Sequence, residues 1–141
     1  MDSIDLGSLN YVAIVVGVVI NQLTGMAWYT VFSRYWMAET GMTQEDMEAM
    51  RGTPRQWYPY VIAVCAGVVF VVALAVLIQG LGAEGAAEGL AVGLLAAVAF
   101  IMTTNAMNYA FEGKSLLLYC INNGYHLLAF AVIGAVLGAW Q

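Results

Sequence analysis

His126, the single histidine of the chain, shares a short stretch with Asn105, Asn108, Glu112, Lys114 and Asn122, and nearly everything between them is apolar. An imidazole titrates near neutrality. Amides donate and accept hydrogen bonds together, and a carboxylate beside them can exchange protons with water. The chemistry that this set suits is passage of a proton, an ion or a small polar solute. Covalent catalysis is not suited, because no nucleophile–base–orienter set accompanies the histidine. We expect no enzyme activity and no cofactor. One histidine and two scattered cysteines, Cys65 and Cys120, lack the paired spacing of a metal site, so no metal is expected. Both cysteines lie in apolar runs and read as small buried hydrophobes.

Helical spacing groups these residues into stripes. Asn105, Asn108 and Glu112 follow i, i+3, i+7, and Tyr119, Asn122 and His126 share another face. Near the N-terminus, Gly17, Asn21, Thr24, Gly25 and Trp28 share a third. Turned toward one another, the stripes would form a polar pocket ending near His126, with Glu112 at its mouth and the aromatics Trp28, Tyr29, Tyr109 and Tyr125 around it. The competing reading is structural: amides, hydroxyls and imidazole bond across helices and fix their packing, at about 0.6 kcal/mol per bond in membranes.

The elements that must position these side chains are membrane helices. The chain is 62% hydrophobic and 9% charged, too few charges for a soluble domain, which carries about a quarter. A span needs about 20 apolar residues, and four runs qualify, near 9–32, 57–79, 88–110 and 115–140. The expectation is an all-α integral membrane protein, one domain of four transmembrane helices, with a short helical loop at 33–56 between the first two. "MDSIDLGSLN" lacks the basic start of a signal peptide, so the first helix is expected to be retained. Arg34, Arg51 and Arg55 lie in the 33–56 loop and Lys114 lies between the third and fourth helices. By the positive-inside rule both loops are cytoplasmic and both termini face out. A net charge of −5 argues against nucleic acid.

With the lipid bilayer as solvent, the depth of each group follows from a rise of 1.5 Å per residue: Asn105 about 8 Å from the cytoplasmic end, Asn122 about 10 Å, Thr24 about 11 Å, and Asn21 and His126 about 16 Å. The second run has no strongly polar residue from Ile62 to Ile78 and reads as a wall or a lipid-facing scaffold. In the loop, Gly41 reads as a stop and Thr43 with Asp46 as the cap of a helix through about Arg51. Pro54 and Pro59 would end that helix. Phe32, Tyr35 and Trp36 suggest a segment lying in the interface. Gly80, Gly82 and Gly85 spell G-x-G-x-x-G, yet without a preceding strand the dinucleotide reading fails.

Small residues at spacing four permit close helix approach. Ala63 with Gly67, Gly89 with Gly93 and Ala97, and Gly134 with Gly138 supply such spacing, for contacts within the chain or with another subunit. An offset of eighty residues also aligns Thr24 with Thr104, Tyr29 with Tyr109 and Arg34 with Lys114, the form of a parallel repeat of two hairpins.

The runs "WYTVFSRYWM", "GMT", "NYAFEGK" and "NNGYH" carry a resemblance. With Trp28, Tyr29, Trp36, Met37, Asn108, Tyr109, Phe111, Glu112, Gly113, Lys114, Asn122, Gly124, Tyr125 and His126 in its motif positions, the chain resembles the domain-of-unknown-function family seventeen-sixty-one. Met42 stands where that family usually has leucine. The resemblance implies a small prokaryotic four-helix membrane protein and brings no activity with it.

Three roles follow as expectations. The first is a small channel or transporter, a homo-oligomer because four helices make a thin wall for a pathway. Its route would be lined by His126, Asn122, Asn105, Asn108, Asn21 and Thr24. The second is an accessory subunit of a larger membrane complex, in which the polar cluster only fixes packing. The third is a pocket for a lipid head group or apolar cofactor among Trp28, Tyr29, Tyr109 and Tyr125.

Overall fold

A computed structural model describes residues 5–141. Among them the secondary structure is helical throughout, with no strand. A single 3-10 turn, Leu6–Ser8, leads into α1 (Tyr11–Val31), α2 (Ser33–Thr40), α3 (Gln44–Met50) and α4 (Pro54–Gly80). The third long helix is continuous from Ala86 to Phe111 but changes character along its length. It is α-helical in α5 (Ala86–Ala96), π-helical over Ala97–Met102 and α-helical again in α6 (Thr103–Phe111). α7 (Leu116–Ala139) follows. Four helices, α1, α4, Ala86–Phe111 and α7, are long and apolar enough to cross a membrane.

Local chemistry sets most of the boundaries. The Asn10 side chain accepts from the Ala13 N–H at the start of α1 (3.0 Å), and the Ser115 hydroxyl accepts from Leu118 N–H at the start of α7 (3.1 Å). Both satisfy donors that a helix N-terminus leaves orphaned. α3 begins with a capping box: Thr43 accepts from the Asp46 N–H while Asp46 accepts from the Thr43 N–H. Gly41 and Gly113 end helices in the left-handed region, φ 71° and 64°, which glycine alone enters without Cβ strain. Pro54 opens α4 at its first position, where the missing N–H costs nothing, so α4 starts three residues before the expected 57. Pro59 does not end the loop helix; it sits inside α4 and leaves the Arg55 carbonyl without its usual donor.

The Asp46 carboxyl, held by the Thr43 N–H and then by the Thr43 hydroxyl, lies below its ordinary pKa. A depressed carboxylate contributes stability above its unfolded-state pKa and loses it as the pH falls through its folded value. α3 should therefore fray on acidification below the usual carboxylate range and not above neutral pH. Amide exchange at Thr43 and Asp46, followed by NMR from pH 7 downward, checks this; exchange independent of acid would refute it.

The apolar core occupies the half of the bundle nearest the chain ends. Ala13 and Ile14 of α1, Val71, Leu74 and Ile78 of α4, and Ile133 and Leu137 of α7 meet there, fully or nearly buried. The Phe70 and Phe130 rings stack at 4.5 Å. α4 is therefore not merely a wall: its second half is core. Its first half is another matter, because Trp57, Tyr58, Tyr60, Val61, Ile62 and Val64 are all exposed. Cys65 and Cys120 are exposed as well. The burial expected from their apolar neighbours fails because those neighbours also lie on outward faces.

α7 is the central element, packed on α5, α1 and α4. Its contact with α5 is made by backbone. A Cβ on Gly89 would meet the Gly134 carbonyl oxygen and lie 2.8 Å from the Gly138 Cα, and one on Gly93 would meet the Phe130 carbonyl oxygen. The Gly85 N–H donates to the Gly138 carbonyl (2.9 Å) and closes the end of this seam. The glycines at 89, 93, 134 and 138 thus face one another within the chain.

Candidate functional site

At the opposite end, where Arg34, Arg51, Arg55 and Lys114 all lie, the helices are joined by polar side chains. Asn122 on α7 is the hub. Tyr29 of α1 donates its hydroxyl to Asn122 Oδ1 (2.8 Å), and Asn122 Nδ2 donates to the Tyr109 hydroxyl of α6 (2.6 Å). α1 and the third helix are not a packed pair, and both lean on α7; this three-residue bridge links them through α7. One turn deeper, Tyr125 donates to Asn21 Oδ1 (2.5 Å). Asn21 is only 5% exposed, and Gly67 of α4 makes room for its amide, since a Cβ there would lie 2.8 Å from Asn21 Nδ2.

Aromatic rings surround the bridge. Tyr29 lies 5.6 Å from Tyr125 and 6.5 Å from Trp36 of α2, and Tyr109 lies 5.7 Å from Tyr119. The Trp28 indole N–H donates to the Ile121 carbonyl (2.8 Å), and its ring fills the space left by Gly124. α2 folds under the start of α7, where Ser115 donates to the Glu39 carboxylate. Lys114 pairs with Glu112 and lies 4.8 Å from the centre of the Tyr109 ring. The hydrogen bond to Glu112 holds the Lys114 ammonium above its ordinary pKa.

A second polar group, Asn123, was not among the expected site residues. It is 1% exposed, accepts from Asn105 Nδ2 (2.9 Å) and donates to the Tyr119 carbonyl (2.8 Å). Tyr119 in turn donates to the Met102 carbonyl at the end of the π-helical turn (3.0 Å). The clue was present in the spacing: Tyr119 and Asn123 are i, i+4 neighbours on one helical face.

The expected stripes converge only in part. Asn21, Asn105, Asn122, Tyr29, Tyr109 and Tyr125 come together through bonds to one another or to Asn123. Asn108 and Glu112 do not; both are exposed. Thr24 is half-buried. His126 is half-buried too, its ring 4.9 Å from that of Tyr125, and among the described residues its side chain makes no hydrogen bond. The amides and phenols bond to one another. A small cavity of about 40 Å³ lies at the far end of the bundle, lined by Ser8, Asn10, Gln79 and Trp140 among others.

The π-helical turn explains why Asn108 is outside and Tyr109 inside. On an uninterrupted α-helix Phe100, Thr104, Asn108 and Phe111 would follow Gly93 down the face toward α7, each near a whole number of turns. Instead Phe100 is 65% exposed and Phe111 95% exposed. A π turn takes up one extra residue and rotates everything after it by about 100°. That rotation turns Asn105 and Tyr109 onto α7. No glycine or proline lies within Ala97–Met102 to announce it.

No curated protein and no solved structure matches the chain. A family match does exist and takes in every residue of the bridge. The chain belongs to the family described as protein of unknown function (DUF1761), which it matches over residues 12–138.

Proposed function

We propose that this is a four-span integral membrane protein with its basic end in the cytoplasm and both termini outside. We read it as a small channel or transporter, a homo-oligomer, for a proton, an ion or a small polar solute. Four long apolar helices and the gathering of all four basic residues at one end support the topology. One observation carries the functional reading: the Tyr29–Asn122–Tyr109 bridge joins three helices by polar bonds where apolar packing would suffice. Neutral amides and phenols, able to donate and accept, suit a small uncharged polar solute best among the three cargoes. His126, which packs beside Tyr125 and makes no side-chain hydrogen bond among the described residues, would meet the solute.

The test is flux in proteoliposomes, read as proton entry with a pH dye and as osmotic swelling with urea or glycerol. His126→Ala should abolish flux and leave the thermal midpoint unchanged. Flux retained at the level of the unsubstituted protein would remove His126 from the route.

A second reading, an accessory subunit of a larger membrane complex, draws on the first half of α4. Residues there are exposed on every face of the helix, a surface that a partner helix could cover. Under this reading His126→Ala lowers thermal stability and no flux exists to lose. Native mass spectrometry from the source membrane separates the two: a single homo-oligomer favours the pathway, and a fixed complex with another polypeptide favours the subunit.

A further inference from the structure

Thr104 and Asn108 pose a problem that the bridge does not solve. Both are exposed on the outward face of α6, and among the described residues neither side chain makes a hydrogen bond. An outward polar face on an apolar helix is costly unless it is used. Both residues stand where an uninterrupted α-helix in phase with Gly93 would turn them onto α7. Thr104 would take the place now held by Asn105, and Asn108 the place held by Tyr109.

From this we infer that α6 has two registers and rotates between them by about 100° when the extra residue of the π turn leaves Ala97–Met102. In the described register Asn105 and Tyr109 face α7. In the other, Thr104 and Asn108 face it, and the bonds from Asn122 to Tyr109 and from Asn105 to Asn123 are broken.

The parts fit such a device. α5 is fixed to α7 by its glycine seam, so it stays in place. α6 is held to α7 by side-chain bonds, Asn105 donating to Asn123 and Asn122 donating to Tyr109, while Tyr119 of α7 donates to the Met102 carbonyl of the π turn. Carbonyls near the π turn are satisfied by side-chain donors, Thr103 to Ala99 (2.6 Å) and Tyr119 to Met102, which can exchange partners without a backbone orphan being left behind. Gly113, at φ 64°, gives the following turn freedom to accommodate the rotation. Rotation would open the bridge from one side, and in that sense the inference rests on the transport reading.

Disulfide trapping in vesicles tests it, with Cys65 and Cys120 replaced by serine. Asn105→Cys with Asn123→Cys reports the described register, and Thr104→Cys with Asn123→Cys reports the rotated one. Since a trapped state accumulates, a register populated at about 1% should still convert most of the Thr104/Asn123 pair on prolonged oxidation. Cross-linking of the Asn105/Asn123 pair alone would overturn the rotation.

Should Asn123→Cys fail to fold, amide exchange of the unsubstituted protein decides. Faster exchange in Thr103–Phe111 than in Ala86–Ala96 supports the two registers, and equal protection of the two segments overturns them. Flux without rotation would leave the transport reading standing and sink this one. Rotation without flux would do the reverse.

Discussion

Gly89→Ala should destabilise the protein more than any other single-methyl change. The new Cβ would meet the Gly134 carbonyl and lie 2.8 Å from the Gly138 Cα. These are backbone atoms, and they cannot swing aside as a side-chain tip can. The two helices must separate along the seam, losing the close approach that drives association where lipid supplies no hydrophobic force. Overpacking of a tight contact costs about 3 kcal/mol at the upper end of its usual range, roughly 10 °C in thermal midpoint for a chain of this size. Gly80→Ala is the matched control, because a Cβ there meets nothing within 4 Å. Differential scanning fluorimetry of both variants in one detergent gives the comparison. A Gly89→Ala midpoint equal to that of Gly80→Ala would show that the seam is loose.

Asn122→Leu should affect flux as strongly as His126→Ala. It removes both bonds of the bridge at once while keeping the side chain near its original volume. The stability cost should be small, about 1 kcal/mol for two membrane hydrogen bonds at about 0.6 kcal/mol each. Loss of the donor and acceptor pair facing the Tyr29 and Tyr109 hydroxyls should abolish solute swelling in proteoliposomes. A variant that folds, keeps its midpoint within a few degrees and still swells at the original rate would show that Asn122 serves packing alone. The two variants separate the two ends of the molecule: Gly89 governs stability, and Asn122 governs the proposed pathway.

The sequence made the four apolar helices legible, because length and composition suffice to find a helix that can cross a membrane. It also made the capping box at Thr43 and Asp46 legible, since that signal is local. Spacing showed that Gly89, Gly93, Gly134 and Gly138 lie at close-approach positions but could not say which helix each would meet. The site was harder. Asn21, Asn105 and Asn122 stood out as amides in apolar runs, and Tyr29 and Tyr109 as partners at an offset of eighty residues; both tyrosines do reach Asn122.

Asn108 and Glu112 were grouped with Asn105 by i, i+3, i+7 spacing, yet Asn105 turns inward with its i+4 neighbour Tyr109 and leaves the other two exposed. Which edge of that stripe meets α7 depends on the phase of α6, set by a π turn in "AVAFIM" that no residue type marks. Asn123 was passed over in favour of its neighbour Asn122, although only one of two adjacent residues can share a given face and both turned out to be engaged by different helices. The exposure of Cys65 and Cys120 was missed for a related reason: apolar neighbours signal burial in water, but where every surface is apolar they signal nothing about which way a residue points.

The glycine seam also bears on how the chain is made. The helix that runs from α5 through α6 is joined to α7 by the turn at 112–115, so α5 and α7 lie against each other, backbone to backbone, as the arms of one hairpin, with the Gly85 N–H closing on Gly138. The seam closes at separations of 37 to 53 residues, against 93 for the Trp28–Ile121 bond that ties α1 to α7, so its loop is the less costly of the two to close. On a membrane insertion pathway the two segments would leave the translocation machinery as a ready-made hairpin. α1 and α4, synthesised earlier, pack on each other and also on α7, so the core they share is complete only once α7 is in place. Among the described helices, the last in chain order would then be the one that organises the others.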